Sequence, residues 1–85
     1  MSSTLYIVSR PLDDRARALI PPSTSSDPVQ LLLIEDGVRS PRVPSLNTSV
    51  LAEDASARGI PISNHHVSYA DMVRMIFAAD RVVVI

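Results

Sequence analysis

The 85-residue chain contains no cysteine, no lysine and no tryptophan. Without cysteine there is no thiolate nucleophile, no disulfide and no thiolate metal site. The lack of disulfides is compatible with a reducing compartment. Without lysine there is no rapid Schiff-base chemistry. All eight basic residues are therefore arginine, set against nine acids, for a net charge of −1. That balance excludes the basic footprint that direct binding along a nucleic-acid backbone demands. Long apolar runs are also missing. None approaches the roughly 18 residues of a membrane-spanning helix. The opening MSSTLYIVSR has an apolar run of only Leu5 to Val8, too short for a signal peptide. The expectation is a soluble, cytoplasmic protein.

Aliphatic residues are what the chain has instead. Hydrophobic residues make up 46%, yet only Tyr6, Tyr69 and Phe77 are aromatic. Mean hydropathy is +0.19. A chain of this length forms one small domain, here taken as residues 1–85, and buries only about 60 to 65% of its unfolded surface. High aliphatic content in so thin a core points to subunit interfaces; the alternative is a tightly packed aliphatic monomer.

Strand and helix signals alternate along the chain. Leu5 to Val8 is short, β-branched and aromatic, the composition of a strand. Pro11, then Asp13 and Asp14, mark a helix start. Leu12, Ala16, Leu19 and Ile20 form its apolar stripe. PPSTSSDP (21–28) is a polar loop. Val29 to Ile34 is apolar almost throughout, as in strands covered on both faces. Asp36-Gly37 closes it, and Pro41 and Pro44 forbid a long helix after it. Val50 to Ala52 reads as a third strand and Glu53 to Arg58 as a short helix. Gly59 is a left-handed stop, with Pro61 just beyond. A marginal fourth strand falls within Ile60 to Val67. Ser68 and Asp71 then make a capping box, with Val67 and Met72 as its hydrophobic staple. Met72, Val73, Ile76, Phe77 and Ala79 make the apolar face of a helix ending near Ala79. Asp80-Arg81 is a turn, and Val82 to Ile85 is a last strand. The alternation predicts an α/β domain: three layers, a mainly parallel sheet of four or five strands, and short helices on both faces.

LLLIEDGV at the second strand, LAEDASARGI after the third and VSYADMVRMI opening the last helix occur in this order. On these segments the chain resembles the DsrH/TusB family of small sulfur-relay subunits, from Leu5 onward. The resemblance implies a DsrE-like α/β fold, with a flavodoxin-like strand order taken by analogy. It implies assembly with TusC/DsrF-like and TusD/DsrE-like subunits into a dimer of heterotrimers. It also implies a role in passing persulfide sulfur toward 2-thiolation of the tRNA wobble uridine, with tRNA contacted only indirectly. In that family the sulfur-carrying cysteine lies on the TusD/DsrE-like partner; related complexes serve sulfur oxidation, and some DsrH chains carry a cysteine of their own. The present chain departs from the pattern in having no cysteine, in its PPSTSSDP loop, and in the prolines after Val38.

Glu35 and Asp36 lie where parallel sheets bind ligands, beyond strand carboxyl ends. Neighbouring strand residues point to opposite faces, however, so an acid/base pair is disfavoured and an Asp-Gly turn at Asp36 and Gly37 is the plainer reading. An interface role for that turn stays open. His65 and His66 lack a third ligand, so no metal site is expected. His66 at a pH-sensitive interface is the alternative to a polar loop. Arg39 and Arg42 are weak candidates for an anion, against solvated loop charges. Ser9, Ser68 and Tyr69 with His66 lack a nucleophile elbow. Met72, Met75, Ile76 and Phe77 exceed what one buried face needs, so this helix is expected to pack on the sheet and also on a second chain; the alternative is burial within its own domain. The expectation is a non-catalytic subunit with no cofactor, forming a homo-oligomer when isolated. A stand-alone module binding a small anion is the rival.

Overall fold

The computed structural model describes residues 2–40, 47–61 and 65–85. Five strands form a single sheet: β1 (Thr4–Val8), β2 (Val29–Leu33), β3 (Asn47–Leu51), β4 (His66–Val67) and β5 (Arg81–Val84). Between them lie α1 (Asp14–Ala18), a 3-10 turn (Glu35–Arg39), α2 (Ala52–Ala57) and α3 (Tyr69–Ala78). Every strand pairing is parallel. The expected layered α/β class is therefore what the chain adopts, with the sheet wholly rather than mainly parallel.

The near-continuous apolar runs have a simple cause: β1 and β2 are covered on both faces. On one face Val8, Leu31 and Leu33 pack with Val38 and Ala55, joined by Leu12, Ile20 and Val50. This is the side of α1 and α2. On the other, Leu5, Ile7 and Leu32 meet Met72, Met75, Ile76 and Ala79 of α3. Leu5, Leu31 and Leu32 are completely buried.

The strand order is β4-β3-β2-β1-β5. This corrects the flavodoxin-like order, which would seat β3 directly beside β1. Here the chain steps outward from β1 to β4, one strand at a time. Short connections such as α1 and α2 reach only the neighbouring strand. The ten-residue α3 then carries the chain back across the sheet to the free side of β1. A second correction concerns β5. The last strand, expected over Val82 to Ile85 as an apolar run, spans Arg81–Val84, and all four of its residues are exposed at an edge.

Local signals act as their chemistry requires. Asp13 is the N-cap of α1, accepting a hydrogen bond from the Ala16 amide at 2.7 Å. That helix stops at Ala18, so Leu19 leaves the expected stripe and is exposed. Gly59 ends α2 with φ of 70°, and the Ile60 amide reaches back to the Ala55 carbonyl at 2.9 Å. Ser68 and Asp71 form the reciprocal capping box of α3, and the staple residues Val67 and Met72 join the same core cluster. The apolar face of α3 is narrower than its sequence implies. Val73 and Phe77 point away from the sheet, with Phe77 85% exposed.

Candidate functional site

Strand β2 leads straight into the tightest corner of the molecule. The Ile34 amide donates to the Val8 carbonyl at 2.9 Å, extending the ladder by one residue. The chain then turns sharply. Glu35 adopts φ of 49°, the left-handed region that side chains disfavour. The Gly37 amide closes back on the Ile34 carbonyl at 2.8 Å. Gly37 is buried against β1, and a Cβ there would collide with the carbonyl oxygen of Val8. Only glycine fits this approach.

Helix α2 holds the corner from the side. Asp54 accepts a hydrogen bond from the Glu35 amide at 2.7 Å. Arg58 donates from Nε to Asp36 at 2.9 Å and from Nη1 to the Asp54 carbonyl at 3.2 Å. Asp36 is therefore engaged by Arg58, and Glu35 is anchored through its backbone. The pleat, used to argue that the two carboxylates diverge, does not apply to them, because both lie past the end of β2. They are separated by the turn and by what each one holds. The pattern EDASAR, which by itself predicts only a short helix, carries the signal for Asp54 and Arg58.

The loop after β1 joins the same rim. The Leu12 amide donates to Ser40 Oγ at 2.8 Å, and Ser9 Oγ donates to the Ile85 carbonyl at 3.1 Å. Val8, Arg10, Leu12, Asp13, Ala16 and Ile85 enclose a crevice of about 120 Å³. It sits beyond the carboxyl ends of β1 and β5. There the chain departs from β1 toward one side of the sheet, while β5 lies on the other, the switch point at which open parallel sheets take ligands. Drug-sized ligands occupy clefts of roughly 300 to 1,000 Å³, so this crevice fits a few atoms only. Arg10 at its mouth makes no ion pair among the described residues. The strand order, which brings Ile85 beside Arg10, is not legible in the sequence.

A larger cavity of about 500 Å³ lies at the opposite end of the sheet, beside Tyr6, Pro21, Pro22, Asp27 and Arg81. It shares no residue with the carboxyl-end rim.

The remaining candidates are dispersed. His66 lies on edge strand β4 beside Val50, and its buried Nδ1 has no hydrogen-bond partner among the described residues. The His65 carbonyl accepts from the Val50 amide at 2.8 Å. Ser9 and His66 lie three strand spacings apart, roughly 14 Å, and Ser68 is occupied as a cap, so no hydrolytic set forms. No cluster of three His, Asp or Glu side chains suited to a metal occurs among the described residues. Arg39 is exposed at the end of the 3-10 turn. Arg42, with Pro41 and Pro44, lies outside the described residues. Met72 and Met75 are half-buried against their own sheet, whereas Phe77 is in solvent. No helix among the described residues is long and apolar enough to cross a membrane.

What this rim offers is shape and a fixed charge pattern: a braced acidic corner, and a small crevice with one arginine at its mouth. Comparisons with family models, with curated proteins and with solved structures find no match to this chain.

Proposed function

We propose that this chain is a non-catalytic subunit of a sulfur-relay complex of the TusBCD or DsrEFH kind. It supports persulfide transfer toward 2-thiolation of the tRNA wobble uridine, in the cytoplasm. The observation that carries the reading is the Glu35–Gly37 corner in a chain without cysteine. The IEDGV segment, on which the resemblance to DsrH/TusB proteins partly rests, is the one held under backbone strain and braced by two side-chain hydrogen bonds from α2. Strain of this kind persists where the surrounding structure over-determines it, and it gathers at functional positions. With no thiol of its own, the chain contributes surface to the relay and a cysteine-bearing DsrE-like partner contributes the chemistry.

Co-expression with TusC/DsrF-like and TusD/DsrE-like subunits tests this. A single complex on gel filtration is the expected result, and it weakens on Asp36→Ala, which removes the outward carboxylate of the corner. Consistently separate elution of the three chains removes the basis for the reading. The sulfur-oxidation branch is distinguished by wobble-uridine thiolation, which stays unchanged in that case when the gene is deleted.

A second reading rests on Arg10. A stand-alone module would take a small oxyanion in the crevice at the switch point. Titration with thiosulfate or sulfate would then show saturable heat that Arg10→Ala abolishes.

A further inference from the structure

Among the described residues β5 is an uncovered edge with a defined hydrogen-bonding pattern. The Arg81 amide donates to Ser3, the Ile85 amide donates to Ile7, and the Ile85 carbonyl accepts from Ser9. Residues 81, 83 and 85 thus face β1. By the alternation of a parallel ladder, Val82 and Val84 turn their N–H and C=O groups outward, away from the sheet. An edge of this kind is a template for another strand, and soluble proteins ordinarily blunt it with charge, proline or a covering loop. Here both outward-facing residues are valines.

The same edge carries an apolar flank. Tyr69, Val73 and Phe77 follow one another at i, i+4 and i+8 along α3, outside the stripe that packs on Leu5, Ile7 and Leu32. A right-handed crossover from β4 to β5 turns that flank of α3 toward β5. Val82 and Val84 lie on the α3 side of the sheet, because they register with Leu5 and Ile7. They are 39% and 67% exposed. These five side chains expose on the order of 400 to 500 Å², as large as the biggest patch a soluble monomer keeps bare. Asp71 and Arg74 lie on the other flank of the helix, paired with each other.

We propose that this edge is the self-association surface of the chain, joining β5 to β5 of a second copy in antiparallel pairing about a two-fold axis. The backbone sets the register. The outward-facing residues must pair with each other, so Val82 of each copy meets Val84 of the other and both pairs exchange their two hydrogen bonds. Val83 then sits on the axis, opposite the partner's Val83. Arg81 falls opposite the partner's Ile85, so like charges are not opposed. A two-fold axis normal to the sheet keeps both α3 helices on one face. With α3 standing over β1 and β2, strand spacing puts the two helices roughly 20 Å apart. Tyr69 reaches inward from both sides over a floor of Val82 and Val84, with Val73 and Phe77 above it at the rim. Phe77 of one copy lies level with Val73 and Tyr69 of the other. An extended peptide would satisfy the strand edge and leave this stripe bare, whereas a second copy supplies both a strand and its own stripe. The bare side chains alone amount to roughly half of the 800 Å² per partner of a stable interface, and the paired strand edge adds its backbone to that. This gives the homo-oligomer expected of the isolated chain its surface, and it holds whether or not the chain serves sulfur relay.

The absence of cysteine makes a direct test available. Val83 pairs with the partner's Val83 at a non-hydrogen-bonded position, where Cα atoms stand about 4.5 Å apart, within disulfide reach. Val83→Cys in the 85-residue chain should therefore convert to a disulfide-linked dimer under mild oxidant, much faster than Ser56→Cys on exposed α2. Sedimentation of the unmodified chain should approach twice its 9.2 kDa mass. Tyr69→Ser and Val84→Lys, both at exposed positions, should weaken association on the order of tenfold or more, with circular dichroism unchanged. Equal cross-linking of the two cysteine variants, or a monomer up to submillimolar concentration, overturns the proposal. Neither outcome touches co-elution with DsrE-like partners, so the relay reading stands or falls separately.

Discussion

A methyl group added at Gly37 would meet the carbonyl oxygen of Val8 and stand 2.8 Å from its carbon. Both are backbone atoms of a buried strand, and they do not move aside easily. Gly37→Ala should destabilise the fold by about 1 to 3 kcal/mol or more, read from the midpoint of urea unfolding. Two residues earlier the opposite is expected. Glu35 holds a left-handed backbone that costs a side chain roughly 1 to 2 kcal/mol. Glu35→Gly relieves that cost, partly offset by the entropy of the unfolded glycine. The net should be neutral to stabilising by about 1 kcal/mol, and a clear loss of stability would falsify the strain account. At this scale the sequence was informative about Gly37 and nearly silent about Glu35. A glycine after an acid announces a turn, but nothing local says that the residue before it must reverse its φ. That need comes from Val8, distant in sequence, and from Asp54 on another element.

Elements were read well where their signals are local. The Ser68 box on α3 is visible as a spacing of residue types and forms as read, because capping depends on atoms within one turn. Ser68→Ala should cost about 1 kcal/mol. In a domain of this size that lowers the melting temperature by roughly 4 to 8 °C, measurable by circular dichroism. The extent of the helix's buried face was less legible. Met72, Met75, Ile76 and Ala79 lie within one inward arc, and Val73 and Phe77 lie on its flank, yet apolar character alone does not say where the sheet ends beneath them. The exposure of β5 is hidden in the sequence for the same reason: valines look alike at an edge and at the centre of a sheet. The short α1 ended before Leu19, so a stripe continuous in sequence is broken in space.

At the scale of the molecule, a thin core and an apolar edge are two sides of one constraint. Among the described residues, ten buried apolar side chains carry the domain. Leu5→Ala, at a fully buried site between β1 and α3, should cost about 2 to 5 kcal/mol, a large part of the roughly 5 to 15 kcal/mol that such domains possess. Association through β5 would add stability by mass action. The melting temperature is therefore expected to rise with protein concentration, and Val84→Lys should flatten that dependence. A melting temperature independent of concentration in the unmodified chain would mean that folding and association are uncoupled.

Composition and pattern by themselves determined the class of the fold. Alternating apolar strands and capped helices have few ways to bury both faces of a sheet, and a chain without cysteine or lysine is barred from their chemistry in any fold. Strand order was beyond reach of the sequence, since every parallel arrangement buries these strands about equally well. Tertiary structure alone decided that β1 lies between β2 and β5, that Arg10 meets Ile85 at a crevice, and that Arg58 braces Asp36 across twenty-two residues of chain. It also decided which valines are left on the outside. Burial is a property of neighbours, and neighbours are chosen by the path of the whole chain.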